Sequence, residues 1–199
     1  VELTDAVARR HMTRNFSATP LGPGVVDGLL TAALRAPSAG HTQGREFLVL
    51  EGPAETSAYW QATTDQSWRD GSRRFAGLSR APVVILVFAD PEAYVARYRE
   101  PDKARTDGVE VEWVVPFWFV DAAFATMNLL LAATDRGIGA AFLGNFRGED
   151  RLRSALGVPE RLRWLGAVLL GEAAQPDPPS TSTARPRRTV EESVHRGRW

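Results

Sequence analysis

The 199-residue chain contains no cysteine. That excludes disulfide frameworks, thiolate metal sites, iron–sulfur ligation and a cysteine nucleophile together, and it fits a reducing, cytoplasmic compartment. Net charge is missing too: 24 Lys and Arg balance 24 Asp and Glu, so no overall field draws the protein to nucleic acid or anionic lipid, and neither is an expected partner. Any anion site must be local. Histidine is scarce, and His11, His41 and His195 are scattered instead of standing at ligand spacing, so no metal is expected. The most apolar stretch, residues 117–133, is shorter than the roughly 20 residues of a bilayer span. It also carries Asp121 and Asn128, and a buried helix is the expectation. Residues 1–14 are charged and amphipathic, unlike a secretory leader. Nucleophile-elbow, phosphate-loop and zinc-helix motifs are absent, which removes the usual support for hydrolase and kinase chemistry.

What is present has a globular composition, 44% hydrophobic and 24% charged, and a single domain over residues 1–199 is the simplest organisation. Leu3 and Val7 open a short helix ending near His11. Val25, Val26, Leu29, Leu30 and Ala33 mark one face of a second, stopped at Pro37. Residues 47–50 and 83–88 are continuous apolar runs that read as buried central strands, with one or two helices between them anchored by Tyr59, Trp60 and Trp68. Residues 92–99 suit a helix, and residues 100–111 a charged loop within a hard-to-place 90–116 region. Pro116 and Gly137 bracket a helix apolar on nearly every face, which predicts burial all round and hence a partner subunit. Residues 139–142 and 165–170 complete the strands, residues 149–156 make a short helix, and residues 176–186 form a polar, extended arm. This order predicts an α+β fold, a sheet covered by helices.

Four blocks carry candidate chemistry. Arg10 and Arg14 stand four residues apart where the first helix gives out, with His11 and Met12 between them; guanidinium forks suit phosphate oxygens, and a solvated helix end is the competing reading. Pro37-Ser38-Ala39-Gly40-His41-Thr42-Gln43-Gly44 is a loop of small residues that lets backbone approach a planar ligand, or else an ordinary helix-to-strand connection. The glycines of residues 137–144 do not form a dinucleotide fingerprint, because a helix and not a strand precedes them; they suit a strand end where Leu143 and the Gly144 amide face a ligand. Arg185, Arg187 and Arg188 form a second basic cluster, able to share a phosphate with the first if the two converge, or an exposed basic tail. Trp113, Phe117 and Trp118 offer faces for an aromatic substrate, with core packing as the alternative.

Together these blocks resemble the nitroreductase family of flavoproteins nearly end to end. The likeness rests on Arg10-His11-Met12-Thr13-Arg14-Asn15-Phe16, on Pro37 to Gln43, on the Asp121-led helix with Asn128-Leu129-Leu130, on the glycine run, and on Arg187-Arg188-Thr189-Val190-Glu191-Glu192. The resemblance implies a three-layer α+β sandwich around a mostly antiparallel sheet, and an intertwined homodimer with FMN between the subunits. Arg10 with Arg187 or Arg188 would hold the phosphate, and Arg14 would stand at the pyrimidine edge, with His11 and Met12 beside it. Pro37, Ser38 and Ala39 would come from the opposite subunit, with His41 and Gln43. Gly144 would face the flavin N5, and Trp113, Phe117, Trp118 and His41 would border the substrate. NADH or NADPH would donate in a ping-pong cycle to a small acceptor such as a nitroaromatic or quinone. Alternatives are a specialised dehydrogenase, deiodinase, flavin-cleaving or deazaflavin-maturation enzyme, and a non-catalytic flavin-storage protein. Three departures from the family pattern stand out: Met12 stands for serine, His41 for asparagine, and Gly44-Arg45 for Pro-Trp.

Overall fold

The computed structural model describes residues 2–104, 108–144, 146–177 and 179–199. Residues 105–107 of the expected charged loop and residue 178 of the expected arm lie outside them. The chain runs α1 (Leu3–Arg9), α2 (Val25–Leu34), β1 (Arg45–Glu51), α3 (Gly52–Thr63), α4 (Gln66–Gly71), α5 (Phe75–Leu78), β2 (Val83–Ala89), α6 (Pro91–Tyr98), α7 (Phe117–Asp135), β3 (Gly139–Gly144), α8 (Glu149–Leu156), β4 (Arg163–Gly171) and α9 (Val190–Ser193), with 3-10 turns at Ala39–His41 and Thr181–Ala184.

The four strands form one sheet in the order β1-β2-β4-β3, every pair antiparallel. β2 is buried throughout because both faces are covered. Val84, Leu86 and Phe88 pack with Tyr59 and Trp60 of α3 and Leu152 of α8, whereas Val83, Ile85, Val87 and Ala89 pack with α2 and α7 through Leu29, Ala33, Ala125 and Leu129. Alternation along the strand thus feeds two cores. The expected three layers follow. β1, expected to be central, is an edge strand and partly half-buried, because an apolar run reports coverage of its faces and not its place in the sheet. A bulge at Leu165 sets Gly166 opposite Val87 and Trp164 opposite Phe88, and the Trp164 indole donates to the Gly166 carbonyl at 2.9 Å.

Several expected boundaries shift. α1 ends at Arg9, two residues early. Three helices, not one or two, join β1 to β2; α4 is started by Asp65, whose carboxylate accepts from the Trp68 amide at 2.7 Å, a cap that sequence periodicity does not register. α7 is bounded as expected but is not buried all round: Asp121, Ala122, Ala125, Leu129 and Ala133 face the protein, while Phe124 and Met127 are exposed. By length and hydropathy α7 passes as a membrane span, yet its place is against α2 and the sheet. The arm holds a 3-10 turn where Ser180 accepts from Thr183, and Thr189 with Glu192 makes a capping box that starts α9.

Residues 12–17 strap the free edge of β3 to the exit of β4. The Thr13 amide donates to Ala140 at 2.9 Å, that of Ser17 to Glu172 at 2.8 Å and that of Ala174 to Asn15 at 2.8 Å, with Phe16 fully buried between them.

Burial pushes the Tyr59 phenol up to about 12. A phenol whose folded pKa exceeds its unfolded value of about 10 contributes stability that is full below pH 10 and lost as pH rises toward 12. Urea midpoints measured from pH 9 to pH 11.5 should therefore fall above pH 10, and Tyr59→Phe should flatten part of that decline; an unchanged slope would show that Tyr59 ionises freely.

Candidate functional site

The strap carries the first basic block. Arg10 caps α1, is half-buried, and its guanidinium has no partner among the described residues. His11 points to the Asp177 carboxylate at 3.6 Å and meets the Arg9 carbonyl through Nδ1 at 3.1 Å. Arg14 differs from Arg10: its amide donates to Asp177 at 2.8 Å and its side chain curls back to the Met12 carbonyl at 2.6 Å. Met12 is half-buried, its sulfur 3.2 Å from the Phe142 amide on the outer edge of β3. The thioether is the acceptor that this edge amide finds.

β3 ends at Leu143 and Gly144 beside a cavity of about 680 Å³, walled by the aromatic side chains of Tyr59, Trp60, Trp68, Phe142 and Trp164. That size falls in the range of roughly 300–1,000 Å³ typical of small-molecule sites. Gly144 is exposed at its mouth. Two cations rim it, Arg74 and Arg147. Arg147 is paired with Asp65 at 3.1 Å, while the Arg74 guanidinium has no partner among the described residues. Arg74 escaped the sequence reading; its signal was the Arg73-Arg74 pair just before α5, and nothing local distinguishes such a pair from ordinary surface charge. A second cavity of about 370 Å³, at the other end of β1 and β2, includes Pro20, Pro53 and Pro82 and none of the expected site residues.

The loop of residues 37–44 lies on the other side of the sheet, against α6 and α7. Pro37 is exposed. Ser38 Oγ accepts from the Gln43 amide at 2.9 Å, and the Ala39 amide donates to the Asp121 carboxylate at 2.8 Å. Gly40, His41 and Gln43 have φ of 61°, 55° and 56°, left-handed values that only glycine adopts without strain. The Gln43 side-chain Nε2 meets His41 Nε2 at 3.1 Å. Behind the loop, Trp113 stacks edge-on with Tyr94, Tyr98, Phe117 and Trp118, so the aromatics expected to meet substrate also pack against one another.

A single chain therefore does not assemble all the expected groups. Leu143, Gly144 and Met12 come together at β3, with Arg10 and Arg14 in the adjoining strap. The loop of Pro37, Ser38, Ala39, His41 and Gln43, with Trp113, Phe117 and Trp118, stands across the sheet. Arg187 and Arg188 are both exposed, and Arg188 donates to the Glu192 carbonyl. Asp177 ties the start of the arm to the strap, while residues 181–199 are exposed throughout.

Relatives share this framework. A protein of Archaeoglobus fulgidus named as an NADH dehydrogenase/NAD(P)H nitroreductase is 27% identical over 100% of this chain and 99% of its own. An NADH dehydrogenase of Thermus thermophilus is 28% identical over 88% of each. Among solved structures, a nitroreductase family protein of Streptococcus pneumoniae superposes with a TM-score of 0.73 at 23% identity, covering 98% of this chain and 100% of that one. A nitroreductase of Desulfovibrio desulfuricans, crystallised with FMN, gives 0.72 at 24% identity, covering 100% and 98%. Residues 7–172 match the nitroreductase family profile, and the chain belongs to the nitroreductase family.

Proposed function

We propose that the protein is an FMN-dependent NAD(P)H:acceptor oxidoreductase that works as a homodimer, reducing nitroaromatic, quinone or similar electron-poor compounds. The observation that carries this reading is the aromatic cavity at the Leu143–Gly144 end of β3, with Arg74 at its rim. A tricyclic ring suits such walls, and a guanidinium at its edge favours the negative charge that gathers on a reduced flavin. Arg10 would hold the phosphate, its guanidinium being free of partners among the described residues. The FMN bound to the Desulfovibrio desulfuricans protein and the NAD(P)H in the relatives' names support the same cofactors here. Bound FMN would supply the two-electron chemistry, accepting a hydride from the nicotinamide and handing it on. The chain's own part is to orient the ring, exclude water with aromatic walls, and present the Gly144 amide at the ring edge.

The dimer reading follows from the separation of the two half-sites across the sheet, together with an uncovered apolar strip. Leu3 and Val7 of α1 and Phe124 and Met127 of α7 are exposed, and α1 and α7 are neighbours. A strip of large apolar side chains left in water is the mark of an interface. A second copy on that strip would offer its 37–43 loop to the first copy's cavity.

Three outcomes test the proposal. Protein reconstituted with FMN and titrated anaerobically with NADH or NADPH should lose the oxidised band near about 450 nm, and regain it with a quinone; an unbleached flavin would overturn the catalytic reading. Arg10→Ala should weaken FMN by about tenfold to a hundredfold, the value of a charge-assisted bond, and leave riboflavin affinity unchanged in fluorescence titrations. Sedimentation should give twice the 21.8 kDa chain mass, with Met127→Arg shifting the protein to monomer and lowering FMN affinity in parallel.

A further inference from the structure

A carboxylate inside an apolar helix is costly unless every lone pair of consequence is used. Asp121 is such a group, 2% exposed in the first turns of α7. Its Oδ2 accepts two hydrogen bonds, from the Tyr94 hydroxyl at 2.6 Å and from the Ala39 amide at 2.8 Å. Tyr94 is fully buried on α6, and burial, reinforced by Asp121, pushes its phenol well above the ordinary range, so the hydroxyl stays a donor. A second buried charge is Arg45, 5% exposed at the start of β1. Its Nη2 donates to the Leu34 carbonyl at 2.5 Å, Nε and Nη1 have no hydrogen-bond partner, and its charge reaches Tyr94. The 37–44 loop is thus flanked by a buried anion at Ala39 and a buried cation just past Gly44.

The Gly44-Arg45 departure from the family pattern belongs to this arrangement. A Cβ at position 44 would stand 2.7 Å from the Tyr94 ring, so glycine there is what lets the ring pass behind the loop to Asp121. Arg45 supplies the charge that a tryptophan at that position would not. The loop needs such support, since Gly40, His41 and Gln43 are all left-handed and two of them carry side chains. Its other outside ties are Arg97 Nε to the Gly40 carbonyl at 2.9 Å and the Asp90 amide to the Gly44 carbonyl at 2.8 Å. Neither touches the Ser38–Ala39 peptide. Within the loop the carbonyl of that peptide accepts from the His41 amide at 2.9 Å, and the bond from its Ala39 N–H to Asp121 ties it to the rest of the fold.

We propose that Asp121, reached by Tyr94, is a positioning residue that holds the Ser38–Ala39 peptide and hence the whole 37–43 loop in the shape that meets the flavin. This rests on the functional reading above, although the holding itself is a property of the flavin-free chain.

The experiment pairs amide hydrogen exchange on flavin-free protein with FMN titration, for wild type, Tyr94→Phe and Asp121→Asn. Loss of the charged acceptor should speed exchange across residues 37–43 by about tenfold or more, with α2 and β4 peptides unchanged, and raise the FMN dissociation constant by a similar factor. Tyr94→Phe, which keeps the ring among Trp113 and Trp118, should shift both in the same direction by less. In turnover, KM for the acceptor should move more than kcat. Variants that melt earlier but keep wild-type loop exchange and FMN affinity would overturn the proposal and leave Asp121 a core residue. Should Asp121→Asn not fold, Tyr94→Phe decides alone. Failure of the wild type to bind FMN would sink the functional reading, while the exchange data still decide whether Asp121 holds the loop.

Discussion

A strand that is apolar on both faces has to be covered twice, and β2 imposes that demand on the whole chain. Its odd-numbered residues face α2 and α7, its even-numbered ones α3 and α8, so the helices divide into two layers and the connections must cross from one face to the other. That division separates the candidate chemistry as well. The cavity at Leu143 and Gly144 belongs to the α3 side, and the 37–44 loop to the α7 side through Asp121. The uncovered Phe124 and Met127 on α7 follow from the same constraint, because one chain has no further layer with which to cover that helix. In the proposed dimer a single apolar surface both closes α7 and reunites the two half-sites.

Charge is used very differently inside and outside this framework. Arg97 holds the Asp102 carboxyl down to about 2 through bonds of 2.6 and 2.7 Å, yet Asp102 is well exposed and water screens what such a pair contributes to stability. Arg99 and Glu110 are more exposed still. Asp121, Tyr94 and Arg45 are almost wholly buried, where the same charges are unscreened and removing one strands the others. A zero net charge gives no hint of this contrast. The consequential charges are the few that the fold takes out of water.

The sequence reading was sharpest where local pattern and tertiary role coincide. The α8 bounds Glu149–Leu156 came out as expected because an acidic first turn and Gly157 mark its ends, and Pro116 and Gly137 likewise bracketed α7. What failed was information that resides in distant pairs. β1 looks like β2 in composition but lies at an edge, and nothing within residues 45–51 says which neighbours it pairs with. The site divided in the same way. Arg10, the 37–44 loop and Gly144 were legible as segments; their placement on two faces was not, and neither was Arg74, brought to the cavity by α5. Asp121 was visible as a polar break in an apolar helix, but its partner Tyr94 is 27 residues away and in sequence looks like any core aromatic.

Met12 shows how one departure redistributes several tasks. Strand β3 is the edge next to the strap, and its Phe142 amide needs an acceptor. The Met12 sulfur takes that place at 3.2 Å, reaching between both hydrophobic cores, which a serine hydroxyl on a shorter side chain would not do. A long flexible thioether suits an irregular seam of this kind. Its cost is a hydroxyl that would otherwise be free for a phosphate. In the proposed site the phosphate then depends more heavily on guanidinium groups, and Arg14 is already engaged with the Met12 carbonyl. Arg10, just before the strap, has a guanidinium without a partner among the described residues, so in the proposed site the residue that stabilises the sheet edge would also concentrate anion binding at the end of α1.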